Sequence, residues 1–156
     1  MIRIVIDNKK CTGCRLCASV CALYNEGVNN PNKSRIFIFT DWQYRLNSIV
    51  LCYQCTKAPC ASVCPVDAIL RHNGIVRIDY DKCIGCGLCA AECPFGAICE
   101  YNDKFIKCEM CGGEPQCVKF CETGALSLSS SDAGTNTRFS LAQKEISRLK
   151  ERVGLK

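Results

Sequence analysis

The cysteines of this chain carry its most informative chemistry, because thiolates are soft ligands that hold metals such as iron and zinc. Seventeen of the 156 residues are cysteine, and sixteen of these fall into four quartets. Numbered in chain order, the quartets are Cys11, Cys14, Cys17 and Cys21; Cys52, Cys55, Cys60 and Cys64; Cys83, Cys86, Cys89 and Cys93; and Cys108, Cys111, Cys117 and Cys121. In each quartet two residues separate the first two cysteines, and three separate the last two.

The quartets belong to an internal repeat. Residues 7–17 match residues 79–89 at a distance of 72 positions, and both copies read Cys-x-Gly-Cys-x-Leu-Cys. Quartets two and four match each other in a wider form, in which four or five residues separate the second cysteine from the third. The sequence therefore contains two tight and two wide copies of one unit.

The tight spacing suits a [4Fe–4S] cluster, because one such loop can wrap three corners of the cube. Gly13, Gly85 and Gly87 lie inside the tight loops and tolerate the positive φ that the wrap requires. In bacterial two-cluster ferredoxins a fourth cysteine, followed by proline, binds the neighbouring cluster. Quartet three has this pattern up to Pro94, and quartet two keeps the proline as Pro65. The sequence therefore predicts four [4Fe–4S] clusters.

Two other uses of cysteine are less well supported. Zinc sites usually combine two separated cysteine pairs and do not require the third and fourth cysteines at these offsets. The single histidine, His72, lies away from the motifs. A disulfide framework is disfavoured by the odd number of cysteines and by an N-terminus without signal-peptide features. We therefore expect a cytoplasmic, metal-binding protein.

The formal net charge of +5 does not indicate a nucleic-acid-binding protein. It counts every cysteine as neutral, whereas a [4Fe–4S] cluster with four thiolates carries about −2, so four clusters would leave about −3. No apolar run approaches the length of a membrane-spanning helix, so we expect no membrane anchor.

Short hairpins are predicted between the quartets. Ile69 to His72 and Ile75 to Ile78 flank Asn73-Gly74, the strongest two-residue hairpin signal. Ala97 to Tyr101 pairs in the same way with Lys104 to Lys107, and Arg35 to Thr40 with Asn47 to Leu51. The last cysteine of each quartet is expected to begin a short helix, and Asn25 to Ser34 to form a loop.

The end of the chain differs in character from the rest. Ser129 to Thr137 is rich in Ser, Gly and Thr and is predicted to be a linker. Ser140 with Gln143 forms a capping box, and Leu141, Ile146, Leu149 and Val153 then form one apolar stripe. These features predict a C-terminal helix, which packs either on its own body or on a partner.

Cys99 stands outside the quartets and is expected to pack in the core as a small apolar residue. No nucleotide-binding motif and no acid–base or nucleophilic constellation is present, so no catalytic residue is predicted.

With all four quartets in view, residues 1 to about 128 resemble the four-cluster ferredoxin-like subunits of molybdopterin and tungstopterin oxidoreductases, of the dimethyl sulfoxide reductase iron–sulfur subunit type. The resemblance implies an α+β fold of two nested bacterial-ferredoxin-like modules with short β-hairpins and short helices, plus the C-terminal helix. It implies an outer module at 1–34 with 101–128, a bridging hairpin at 35–51, an inserted module at 52–100, and the linker and helix at 129–156. The pairing of each tight quartet with a wide one is consistent with this nesting.

The resemblance also implies that each fourth cysteine crosses to the cluster of another quartet. The implied ligands are Cys11, Cys14, Cys17 and Cys121 for cluster 1; Cys108, Cys111, Cys117 and Cys21 for cluster 2; Cys52, Cys55, Cys60 and Cys93 for cluster 3; and Cys83, Cys86, Cys89 and Cys64 for cluster 4. Quartet four departs from the family pattern, because Glu122 replaces the proline common after its last cysteine.

The chain looks closest to small cytosolic members that serve tungsten-dependent aldehyde oxidoreductases or benzoyl-CoA reductases. The resemblance implies a non-catalytic subunit of anaerobic metabolism that passes single electrons within a larger oxidoreductase complex. Its implied partner is a large catalytic subunit with tungstopterin or molybdopterin, with a flavin subunit or further copies of itself as additional partners. A subunit of a cytosolic hydrogenase, formate dehydrogenase or carbon monoxide dehydrogenase, and a free diffusible polyferredoxin, are the alternatives.

Overall fold

The computed structural model of the protein describes residues 2–129, which include all seventeen cysteines. Four short helices and eight short strands give an α+β, ferredoxin-like fold, in agreement with the predicted fold class. The elements are β1 (Arg3–Ile6), α1 (Leu16–Glu26), β2 (Ile36–Asp41), β3 (Leu46–Leu51), α2 (Pro59–Ser62), β4 (Ile69–His72), β5 (Ile75–Ile78), α3 (Leu88–Ala91), β6 (Ile98–Tyr101), β7 (Lys104–Lys107), α4 (Gln116–Lys119) and β8 (Leu126–Ser129). The predicted helix from Ser140 to Val153 and nearly all of the predicted linker lie outside the described residues.

The three predicted hairpins are confirmed. β2 pairs with β3, β4 with β5, and β6 with β7, each in an antiparallel, two-stranded sheet. Asn73 and Gly74 adopt φ values of 49° and 79°, and Asn102 and Asp103 adopt 50° and 58°. Positive φ at both central residues is the type I′ geometry, whose twist matches that of the flanking strands.

The predicted position of the short helices is wrong. Each of α1 to α4 begins one residue before the third cysteine of its quartet, rather than at the fourth. The third and fourth cysteines are four residues apart, about one helical turn, so the turn that contains the third cysteine leads the chain to the fourth. The first helix also extends into the predicted loop, ending at Glu26 with Gly27 as its C-cap at φ of 69°, and Pro31–Lys33 forms one 3-10 turn.

A fourth sheet joins the two ends of the described chain. β1 pairs with β8, which places Ile4 opposite Leu128 and Ile6 opposite Leu126. No sequence pattern predicted this pairing. Together with the packing of α1 against α4, it brings quartets one and four to the same part of the molecule.

The core contains two groups of buried side chains, and cysteines contribute to both. The larger group joins Ile4, Ile36, Leu51 and Leu126 with cysteines of quartets one and four. The smaller group surrounds Val76 and Ile98 with cysteines of quartets two and three, beside the contact between α2 and α3. Much of the apolar interior is therefore built around thiols.

Candidate metal centres

Four cavities within residues 2–129 each have four cysteines in their walls. Site 1 is lined by Cys11, Cys14, Cys17 and Cys121; site 2 by Cys21, Cys108, Cys111 and Cys117; site 3 by Cys52, Cys55, Cys60 and Cys93; and site 4 by Cys64, Cys83, Cys86 and Cys89. Each cavity thus combines the first three cysteines of one quartet with the fourth cysteine of another. The cavities bring together all sixteen predicted ligands, in the four sets that the family resemblance implies.

One backbone conformation recurs in all four loops. The residue just before the second cysteine has positive φ in every quartet: 74° at Gly13, 52° at Gln54, 68° at Gly85 and 54° at Met110. Glycine adopts this conformation freely, whereas other residues incur about 1–2 kcal/mol. Gln54 and Met110 are both almost fully buried, so packing and hydrogen bonds hold them there. The two wide quartets therefore reproduce the tight-loop geometry without glycine at this position.

The fourth cysteine of each quartet accepts a backbone hydrogen bond at sulfur. The Sγ of Cys64 lies 3.2 Å from the Ala68 N, and the Sγ of Cys93 lies 3.4 Å from the Ala97 N. The corresponding donors to Cys21 and Cys121 are the N–H groups of Arg35 at 3.3 Å and Leu126 at 3.4 Å. N–H groups that point at sulfur stabilise a thiolate and help to set the potential of a bound iron–sulfur cluster.

Burial disfavours ionisation of several ligand candidates in the metal-free chain. Desolvation raises the pKa of Cys17 to about 11, of Cys60 to about 11, and of Cys108 to about 12. The pKa of Cys117 is raised as well, first by desolvation and then by the neighbouring thiol groups. These thiols are therefore protonated near neutral pH without metal, and a metal cation must displace the protons when it binds.

The sites differ in their access to solvent. Cys14 of site 1 and Cys86 of site 4 are exposed, whereas every cysteine of sites 2 and 3 is at least partly buried. Leu16 and Phe120 are exposed beside site 1, and Ile84 beside site 4, where it is 64% exposed. Sites 1 and 4 are thus the two that reach the surface through a ligand candidate.

The donor chemistry fits an iron–sulfur cluster and does not fit a single ion. Each cavity has four thiols and no histidine in its wall, and four thiolates are the donor set of a [4Fe–4S] cluster. Nowhere in residues 2–129 do three or more His, Cys, Asp or Glu side chains converge closely enough for one metal ion. A tetrahedral zinc site would require such convergence, with sulfur at about 2.3 Å from the metal. None of the seventeen cysteines forms a disulfide.

Cys99 lies outside the four cavities. It is half-buried on β6, and its Sγ is 3.9 Å from the carbonyl oxygen of Ile106 on β7. This position agrees with a packing role.

Replacing Cys99 with alanine is therefore expected to leave the iron and sulfide content unchanged. The loss of a small half-buried side chain should lower the free energy of unfolding by at most about 1–2 kcal/mol. Iron and acid-labile sulfide analysis of the Cys99→Ala protein checks this. Loss of about four iron atoms would show that Cys99 is a ligand.

Two buried polar side chains beside the sites were not identified from the sequence. Gln54 lies between two cysteines of quartet two, and Lys107 directly precedes quartet four. Both are essentially inaccessible to solvent. The only sequence signal for their burial was their position next to ligand candidates. The residue type gives no such signal, because Lys104 at the other end of the same short strand is exposed.

The fold and the four thiol-lined sites define a ferredoxin-like iron–sulfur protein, and comparison with known proteins identifies its family. Residues 41–131 match one 4Fe-4S dicluster domain family, and residues 10–69 match a second family of the same description. The chain belongs to the 4Fe-4S dicluster domain proteins. Two dicluster matches and four cysteine quartets account for four [4Fe–4S] clusters, and the chain is an electron-transfer protein.

Among its relatives is the polyferredoxin-like subunit of an aliphatic sulfonate oxidoreductase from Pyrococcus furiosus. The two are 38% identical over 124 residues, which cover 77% of this chain and 71% of the relative. The electron transfer subunit PhsB of thiosulfate reductase from Salmonella typhi is 34% identical over 164 residues, covering 93% of this chain and 83% of the relative. Both relatives are named as subunits of larger oxidoreductases.

Among solved structures, the fold is similar to a chain of the active site complex BamBC of benzoyl coenzyme A reductase with benzoyl-CoA. The TM-score is 0.51 at 23% sequence identity, and the match covers 94% of this chain and 90% of the other. This likeness concerns the fold. Within the described residues, no helix is long and apolar enough to cross a membrane.

Proposed function

We propose that this protein is the non-catalytic electron-transfer subunit of a larger oxidoreductase complex, of the dimethyl sulfoxide reductase iron–sulfur subunit type. The observation that carries the proposal is the arrangement of four cysteine-lined sites, of which two have an exposed cysteine and two have none. An electron carrier inside a complex needs one accessible site for each of two partners. Sites 1 and 4 meet this requirement through Cys14 and Cys86.

The proposed ligands are the four cysteines in the wall of each cavity, with the fourth cysteine of every quartet crossing to another cluster. The proposed domain organisation is an inserted module at 52–100 within an outer module at 1–34 and 101–128, bridged by the hairpin at 35–51. Three contacts support the nesting: β1 pairs with β8, α1 packs against α4, and α2 packs against α3.

Bound at these sites, the clusters supply one-electron transfer, and the protein controls where that transfer can take place. Cys60 of site 3 and Cys108 and Cys117 of site 2 are buried, which limits the contact of these ligand candidates with solvent. The N–H groups of Arg35, Ala68, Ala97 and Leu126 orient the fourth cysteines and stabilise the charge on their sulfurs. The exposed apolar side chains beside Cys14 and Cys86 suit burial against partner proteins.

The proposed partner is a large catalytic subunit with a tungstopterin or molybdopterin cofactor, as in an aldehyde oxidoreductase or benzoyl-CoA reductase. Support comes from the relatives, which are named as oxidoreductase subunits, and from the fold shared with a chain of BamBC. A cytoplasmic location is proposed because metal-binding thiols without disulfides are typical of a reducing compartment.

Anaerobically purified protein is expected to contain about sixteen iron and about sixteen acid-labile sulfide per chain. Colorimetric iron and sulfide analysis, normalised by quantitative amino-acid analysis, gives both numbers directly. Zinc in place of iron, or iron without sulfide, would contradict the proposed ligand sets.

Isolation of the native protein separates a bound subunit from a free carrier. Co-elution with a large subunit supports the proposal, and elution alone contradicts it.

A further inference from the structure

A lysine side chain lies at the centre of the molecule, where a charge is expensive to bury. Lys107 is 0% exposed and is the largest fully buried side chain in the described part of the chain. The ion pairs found in residues 2–129 join other residues, and none of them includes Lys107. An ammonium in such a place costs several kcal/mol unless other charges or hydrogen bonds compensate it.

The hydrogen-bond partners of Lys107 form a closed ring with Gln54. The Lys107 Nζ donates to the carbonyl oxygens of Val76 and Cys108, the latter at 3.0 Å. The Gln54 Nε2 donates to the same Cys108 oxygen at 2.8 Å, and the Gln54 Oε1 accepts from the Val76 N at 2.7 Å. Every polar atom in this ring has a partner, so the ammonium is held in one position.

The ring joins the walls of two metal sites. Gln54 lies between Cys52 and Cys55, and Val76 is part of the wall of site 3. Cys108 is the first cysteine of quartet four and is part of the wall of site 2. The Lys107 ammonium therefore contacts the backbone of a wall residue of each site, Val76 of site 3 and Cys108 of site 2. The fixed positive charge is therefore shared by sites 2 and 3.

We infer that the buried Lys107 ammonium raises the reduction potentials of the clusters at sites 2 and 3 together. A reduced cluster carries one more negative charge than an oxidised one, so a nearby cation stabilises the reduced form. The low dielectric of the interior strengthens this attraction, and the negative clusters in turn compensate the buried ammonium. Lys107 thus makes the clusters at both of these sites easier to reduce.

This inference rests on the ligand sets of the proposed function. Iron content tests those ligand sets, whereas reduction potentials measured on the loaded protein test the role of Lys107. Lys107→Met keeps a similar volume and removes the charge. Reduction of two of the four clusters is expected to become at least about tenfold less favourable, a fall of about 59 mV or more for a one-electron couple. Redox titration followed by electron paramagnetic resonance measures the four potentials.

Two variants serve as controls. Lys104→Met removes a charge from the same strand, but its side chain is exposed, so all four potentials should stay at the wild-type values. Lys107→Arg keeps a buried cation and should stay close to wild type. Unchanged potentials in a fully loaded Lys107→Met protein, or an equal shift of all four clusters, would overturn the inference while leaving the iron content of the wild type intact.

Gln54→Glu provides the test if Lys107→Met fails to bind its full iron content. The glutamate can still accept a hydrogen bond from the Val76 N–H and brings a negative charge beside Lys107. The same two potentials should then fall. Unchanged potentials, or loss of iron in this variant as well, would show that the ring is only structural and would overturn the inference.

Discussion

Removing iron from this protein is expected to unfold it. All four sheets in residues 2–129 are two-stranded, and three of the four helices span only four residues each. Isolated two-stranded hairpins and single helical turns are at best marginally stable in water. The groups that hold these pieces together are thiols placed around cavities, so the bound clusters act as the centre of the core.

The expected effect is the loss of the whole folding free energy, which is about 5–15 kcal/mol for an ordinary domain. Metal binding to a small domain of this kind is itself folding free energy, as in zinc fingers, where it amounts to about 10–16 kcal/mol. In the metal-free chain, moreover, burial raises the pKa of Cys108 to about 12. Near neutral pH its thiol is protonated, so this sulfur carries no negative charge that could stabilise the iron-free interior.

Anaerobic treatment with a chelator, followed by circular dichroism and limited proteolysis, measures this effect. The iron-free protein should lose its cooperative thermal transition and become sensitive to protease throughout residues 2–129. Addition of iron and sulfide under reducing conditions should restore both properties. An iron-free protein with a cooperative transition near that of the loaded protein would show that the apolar residues alone stabilise the fold.

The elements that could be predicted from the sequence are those encoded by adjacent residues. Asn73-Gly74 specifies a type I′ turn by itself, so the strands on either side and their register follow. The positive φ predicted for Gly13, Gly85 and Gly87 is also observed, because glycine in a tight ligand loop has a local reason to be there.

The features that were missed depend on residues far apart in the chain. Arg3 of β1 lies opposite Ser129 of β8, and no turn signal connects strands so distant in sequence. The buried position of Lys107 likewise follows from the ring with Gln54, which periodicity in a four-residue strand cannot reveal. The start of each helix just before the third cysteine was missed, because three of the four helices span about one turn, which is too short to show a period.

The candidate sites are an intermediate case. Spacing identifies the sixteen cysteines and the tight and wide loops, but it does not say which fourth cysteine joins which loop. The crossed sets came from the family resemblance, and the walls of the four cavities contain the same sets. Ligation itself stays a prediction, and counting iron in paired variants can test it.

Replacing Cys64 with alanine is expected to remove the cluster at site 4 and to spare the cluster at site 3. Cys64 follows Cys60 by one helical turn, yet its Sγ accepts from the Ala68 N–H and lies in the wall of site 4. The place of a fourth cysteine at site 3 is taken by Cys93. The single variant should therefore lose about four of about sixteen iron atoms.

Two double variants assign that loss to a site. If Cys64 and Cys83 serve one cluster, Cys64→Ala with Cys83→Ala should lose no more than the single variant, about four iron atoms. Cys64→Ala with Cys52→Ala should damage two clusters and lose about eight. This is the logic of a double-mutant cycle, in which residues of one unit are non-additive and residues of separate units add. Iron is counted per folded chain after size-exclusion chromatography, because metal loss also lowers the yield of folded protein.

The reverse pattern would refute crossed ligation. If the pair with Cys83 lost about eight iron atoms and the pair with Cys52 about four, each quartet would hold its own cluster. That outcome would require the Cys64 side chain to turn away from Ala68 and towards Cys60, against the hydrogen bond that orients it. Cys93→Ala, whose Sγ is held in the same way by the Ala97 N–H, is the reciprocal variant. It should remove site 3 and spare site 4, so the two variants together decide whether the modules are tied by exchanged ligands.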